Sequence, residues 1–265
     1  MQEPIFVGGV PRSGTTLIRV VLDSHSAIAC GPELRVTPYL CELCDAVERQ
    51  VGSAVGRAYA LEPQTVRAAF ARLLDSLLAP GLRASGKRRI AEKTPANALW
   101  FSKLRQFFPD CRQVHVLRDG RDVVASLLGK DWIDSRTGRP FDFVRDARAA
   151  AALWVRQTTT ARQTAADPAS QGRFHELRYE DIVRQPRDTL GALFDFLDEP
   201  WEEQVLDFHR NARARDGQHE TSASQVSRPL YGDSVGRWRH VLTPRQLDDV
   251  YAVAGDQLEA LGYHD

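Results

Sequence analysis

PIFVGGVPRSGTTLIRVVLDSH, residues 4–25, decides the reading of this 265-residue chain. Its first apolar residues, Ile5, Phe6 and Val7, favour a strand, and they run through Gly8 into a turn punctuated by Gly9, Pro11 and Gly14. The turn opens at once into apolar positions of helical period, Leu17, Val20, Val21 and Leu22, which predict a helix over 15–24. A strand that feeds a glycine-containing loop at a helix N-terminus gathers unpaired backbone N–H groups at the positive end of the helix dipole. Such a junction holds phosphate. Gly9 to Thr16 has P-loop spacing, but Thr15 stands where a nucleoside triphosphatase has the lysine that reaches the β- and γ-phosphates. The loop keeps the anion cradle, gains Arg12, and lacks the tool for a triphosphate. It suits a nucleotide with a single 5′-phosphoryl group.

Outward from this junction the pattern alternates. Strands are predicted over 5–8, 89–92, 113–117 and 174–177. Helices are predicted over 15–24, 37–49, 63–78, 97–107, 120–128, 141–165, 186–197, 202–209 and 243–260. Strands separated by helices imply right-handed crossovers, an α/β fold and a parallel β-sheet flanked by helices. Ligands of such sheets sit beyond the C-terminal strand ends. With no linker or repeat, one domain over 1–265 is expected. Hydrophobic residues make up 43% and charged residues 26%, an ordinary soluble composition. Lys and Arg number 35 against 35 Asp and Glu, which argues against nucleic acid as partner. Only Lys87, Lys93, Lys103 and Lys130 are lysines. No apolar run approaches the ~20 residues of a membrane span, and the first strand begins almost at Met1, so neither membrane nor signal peptide is expected. Cys41 and Cys44 read as two small buried residues one helical turn apart, since no second pair completes a metal site. A reduced, cytoplasmic setting follows.

A second anion site is VLRDGRDVVASLL, residues 116–128. Arg118 stands at a predicted strand tip, where it could grip a phosphate bidentately while Ser126, two turns down the next helix, donates to it. The competing reading makes Arg118 and Asp119 a mutual pair that caps the helix. Two phosphate sites at neighbouring strand ends describe a nucleotide phosphorylated at both the 5′ and a ribose position. His25, at a helix end, and His115, inside a strand, read as structural residues rather than bases.

GGVPRSGTT, CGPELR (30–35), EKTP (92–95), LRDGR and RYEDIVRQP (178–186) occur in an order that resembles the PAPS-dependent sulfotransferase family, closest to its tyrosylprotein branch in a bacterial form. The resemblance implies a P-loop-like sulfotransferase fold and transfer of a sulfuryl group from PAPS to a hydroxyl, most simply that of a peptidyl tyrosine, leaving PAP. It implies that Arg12, Ser13, Gly14, Thr15 and Thr16 hold the 5′-phosphosulfate. Arg118, Ser126 and Lys130 surround the 3′-phosphate, Tyr179 lies near the nucleotide, and a late segment with Ser222 and Arg237 closes over it. Glu33 matches the general base, Lys93 and Arg12 the groups that stabilise developing charge, Ser222 a donor to the leaving region, and Arg35 a substrate contact. No metal is implied.

Three departures stand out. Cys30 matches a disulfide-bonded position, but its partner position is Ala91, which supports a cytoplasmic enzyme. Tyr39 stands where a second substrate-binding arginine is expected. Residues 129–140 have no clear counterpart and should lie near the acceptor. The expected partners are an acceptor peptide or a small-molecule hydroxyl substrate and, at most, a second copy of the chain. Transfer to a small-molecule or carbohydrate hydroxyl is the first alternative, followed by a P-loop kinase and a PAP-binding module.

Overall fold

Ile5, Phe6 and Val7 alternate across their strand, and all three are fully buried because apolar layers cover both of its faces. The computed structural model describes residues 3–134, 137–211 and 226–264. Strand β1 (Ile5–Gly9) is central in a five-stranded parallel sheet. Beside it lie β2 (Ile28–Cys30), β3 (Arg89–Lys93) and β4 (Arg112–Leu117). A small antiparallel pair, β5 (Ile133–Asp134) and β6 (Arg139–Pro140), stands apart, and β7 (Phe174–Arg178) completes the sheet in the order β2-β3-β1-β4-β7.

Ile5 and Val7 face a layer built by α1 (Thr15–Ser24) with α8 (Tyr179–Arg184) and α9 (Pro186–Phe196), where Ile18, Leu22, Ile182, Leu190 and Phe194 are buried. Phe6 faces the opposite layer of α2 (Thr37–Glu48), α4 (Pro63–Ser85) and α5 (Phe101–Phe107), with α3 (Ala54–Ala58) between α2 and α4 in the chain. A third cluster joins α6 (Gly120–Leu127), α7 (Ala147–Ala166) and the last helix, Pro244–Ala260, around Trp154, which is fully buried. Among the described residues no helix is long and apolar enough to cross a membrane.

The register brings the C-terminal strand ends together with a two-residue stagger: Lys93 at the end of β3 lies opposite Val7, and Gly9 at the end of β1 lies opposite Val116. The chain leaves β1 between its neighbours β3 and β4, the position at which open parallel sheets form a ligand crevice. Gly8 makes this possible, because a Cβ there would stand 2.4 Å from the Ala98 nitrogen in the turn after β3.

Several predicted elements shift. β2 is too short to announce itself in the sequence and pairs only because β3 offers an open edge. The helix expected over 141–165 starts at Ala147, where Asp146 caps it by accepting from the Ala149 N–H at 2.7 Å. The displaced Phe141 and Phe143 stack on each other instead, 4.8 Å between centroids. α4 runs through Pro80 to a left-handed cap at Gly86. The helix expected over 97–107 breaks at Trp100 into a 3-10 turn, Pro95–Leu99, followed by α5.

Candidate active site

Between β1 and α1 the Ser13 N–H donates to the Val10 carbonyl at 3.0 Å, which folds the loop tightly. Arg12 adopts φ 77°, a left-handed conformation that costs a non-glycine residue about 1–2 kcal/mol. Gly14 precedes α1 at φ 101°, and no side chain caps the helix. The first-turn N–H groups of α1 therefore face the crevice without a side-chain partner. A Cβ on Gly14 would stand 2.5 Å from Cδ2 of Tyr179, so the tyrosine ring is seated on the loop itself. On that ring lies the Arg118 guanidinium, 4.6 Å from the centroid.

The cations expected around a phosphate do converge. Arg12 Nε donates to Ser126 Oγ at 2.9 Å. Burial lowers the pKa of Arg12, and repulsion by Arg118 and Arg237 lowers it further. Burial likewise lowers Lys130, aided by repulsion from Arg12 and Arg237. Positive groups that depress one another in a half-enclosed site are what an anion would relieve. Arg118 departs from the bidentate phosphate grip. Its Nη1 donates to the Arg12 carbonyl at 2.9 Å and its Nη2 to the Ser234 carbonyl, so it ties the phosphate loop to the late segment. Among the described residues its buried Nε has no hydrogen-bond partner. Asp122, absent from the sequence reading, accepts the Gly236 and Trp238 N–H groups at 2.8 and 2.9 Å and so brackets Arg237. The doubled Arg-Asp of RDGRD was the available signal.

Across the crevice, Lys93 ends β3 fully buried and donates to Glu33 Oε1 at 2.7 Å, with Thr16 Oγ1 3.5 Å away. Glu33 Oε2 accepts from Arg35 Nε at 3.0 Å. One carboxylate is thus gripped from both sides at the border between the phosphate loop and an apolar wall. The cavity, about 490 Å³, runs from Arg12 and Thr16 past Glu33 and Arg35 to Trp132, Phe141 and Phe143. Asp131, Trp132 and Ile133, from the stretch with no clear counterpart, line this cavity. Tyr39 does not: it is 55% exposed on α2 and is absent from the cavity wall. Ser13 is fully buried, and its Oγ has no hydrogen-bond partner among the described residues. Ser222 lies outside the described residues.

The remaining candidates are structural. His115 Nδ1 lies 3.0 Å from Glu176 Oε2, and buried His25 stacks on Phe194. All four cysteines are free and buried. Cys30 stands directly opposite Ala91 in the β2–β3 register.

Residues 4–203 match the sulfotransferase family. The chain is 30% identical over 267 residues to protein-tyrosine sulfotransferase A of Caenorhabditis elegans, an alignment that spans 98% of this chain and 67% of that protein. It is 27% identical to the protein-tyrosine sulfotransferase of Drosophila melanogaster over 98% of its own length and 51% of that protein's. The chain therefore spans about half to two thirds of these relatives. In structure it resembles the sulfotransferase domain from the Synechococcus PCC 7002 olefin synthase, with TM-score 0.66, 21% identity, and 100% and 97% of the two chains covered. This chain belongs to the sulfotransferase family.

Proposed function

We propose that the chain transfers a sulfuryl group from PAPS to a phenolic hydroxyl, with peptidyl tyrosine the favoured acceptor, and that one domain does so. The observation that carries this reading is Glu33, held between Lys93 and Arg35 on the side of the crevice facing the α1 N-terminus. In the reaction the acceptor oxygen gives its proton to Glu33 and attacks sulfur in line. The bond from sulfur to the bridging phosphate oxygen breaks, and PAP departs with the electron pair. Lys93 and Arg12 offset the charge that builds on the sulfuryl and bridging oxygens, the largest contribution in transfers of this type. Gly14, Thr15 and Thr16 hold the 5′-phosphate through backbone and hydroxyl donors. Ser126, Lys130, Arg237 and Arg118 Nε surround the 3′-phosphate, and Ser222 remains a candidate donor near the leaving group. The names of the animal relatives support tyrosine. So does Arg35, whose side chain is 67% exposed and suits an acidic flank on a peptide. The free thiols, with Ala91 opposite Cys30, support a bacterial-type, cytoplasmic setting.

A small phenol is the second reading, favoured by the apolar aromatic wall of Trp132, Phe141 and Phe143 in the same cavity. Turnover of tyrosine peptides with acidic flanks, measured beside a panel of free phenols and sugars, separates the two. Glu33→Gln is expected to lose turnover by ~10²-fold or more while PAP affinity, measured by calorimetry, is retained. Retained turnover in that variant refutes the role of Glu33, and undetectable PAP binding to the wild type refutes the donor.

A further inference from the structure

Glu33 and Arg35 project from residues 31–36, which have no regular secondary structure, and Arg35 itself lies at φ 60°. Such a segment holds its side chains in place only if its backbone is held. Two N–H groups are held from beneath. That of Leu34 donates to the Glu92 carboxylate, and that of Arg35 donates to Thr94 Oγ1 at 3.2 Å. The two acceptors are themselves joined, because Thr94 Oγ1 donates to Glu92 Oε1 at 2.7 Å. Glu92 Oε2 accepts from Asn97 Nδ2 at 2.6 Å, and the same amide nitrogen lies 3.1 Å from the Val7 carbonyl of β1. A chain of hydrogen bonds thus runs from β1 through Asn97, Glu92 and Thr94 to the backbone N–H groups on either side of the Leu34 Cα. Glu92 is 4% exposed and its hydrogen bonds come from neutral donors, an expensive way to bury a carboxylate. Burial accordingly raises its pKa. Along β3, Glu92 points away from the face on which Lys93 meets Glu33, so the two neighbours serve the crevice from opposite sides of one strand.

We propose that Glu92 and Thr94 are positioning residues for the reaction: they set the height and direction of Glu33 and Arg35 through the intervening backbone. The inference rests on Glu33 being the base. Neither residue belongs to the phosphate loop, so the donor site should not feel their loss.

Thr94→Val and Thr94→Ser test it, because valine keeps the shape and serine keeps the hydroxyl. Thr94→Val is expected to lower kcat about tenfold and leave the PAP dissociation constant within about twofold, since a hydrogen bond that orients the base is lost. Thr94→Ser is expected to restore kcat to within about threefold. The acid limb of the pH profile should stay where it is in Thr94→Val, because the proton still goes to Glu33. Glu92→Gln, which puts an amide where three donors converge, should reproduce the Thr94→Val pattern. Wild-type kcat in Thr94→Val, equal losses in kcat and PAP affinity, or no recovery with serine overturns the inference. If Glu33→Gln itself costs nothing, the reading beneath it falls instead, so the two failures are told apart.

Discussion

Gly14 shows how much of the site hangs on one missing carbon. Its φ of 101° is costly for any other residue, and the space for a Cβ is already filled by the Tyr179 ring. Gly14→Ala should therefore lower Tm by about 5 °C and weaken PAP binding tenfold or more, because strain of ~1–2 kcal/mol is released by moving the loop or the ring. Differential scanning fluorimetry and calorimetry read the two effects, and unchanged PAP affinity would show that Tyr179 can shift without cost. Gly14 was legible in the sequence because P-loop spacing demands a glycine there, while Arg12 and Thr15 stood out as additions to that pattern. Arg118 does line the cavity, but nothing in LRDGR says that its two terminal nitrogens go to the Arg12 and Ser234 carbonyls. Asp122 left only the doubled Arg-Asp of RDGRD as a trace, because its partners are backbone N–H groups at positions 236 and 238, a relation that only the fold creates.

Among the elements, β1, β4 and α1 were read within a residue of their observed limits, whereas the helix expected over 202–209 is a 3-10 segment, Glu203–Arg210. Limits that depend on a distant partner were not legible. β2 exists because β3 lends it an edge, and α7 starts late because Asp146 wins the capping position from Phe141. The helical layer over Phe6 is tied by charge as well as packing: Glu48 at the end of α2 accepts from Lys103 of α5 and Arg67 of α4. Burial works to raise the Glu48 pKa, but the hydrogen bonds from Lys103 and Arg67 outweigh it and the net shift is downward from 4.5. A carboxylate lowered in the folded state adds stability above its unfolded pKa and loses it as pH falls through the folded value. Glu48→Gln should therefore lower Tm at pH 7, and the gap from wild type should close as the pH drops below about 4.5. Thermal melts across pH 3–8 check this, and a gap that persists at the acid end would assign the loss to packing.

At the level of the whole molecule, balanced charge conceals a strongly uneven field. The 35 basic and 35 acidic residues cancel in sum, yet Arg12, Arg118, Lys130 and Arg237 repel one another within one crevice. A doubly phosphorylated nucleotide seated there should stabilise the fold by about 2.7 kcal/mol at a hundredfold excess over its dissociation constant, a rise of about 5–10 °C in Tm. At a fixed nucleotide concentration that rise should shrink as salt is added from 50 to 500 mM, because salt screens the attraction between the phosphates and these cations and raises the dissociation constant. A salt-independent rise would place PAP away from these cations. The pairing of Lys93 with Glu33 carries its own consequence on the proposed reading. On that reading the idle protein keeps its proposed base and a neighbouring cation paired with each other. Turnover then opens with an exchange of companions rather than the creation of naked charge, as one ammonium relinquishes a carboxylate for an incoming oxyanion and the carboxylate is released to accept a proton.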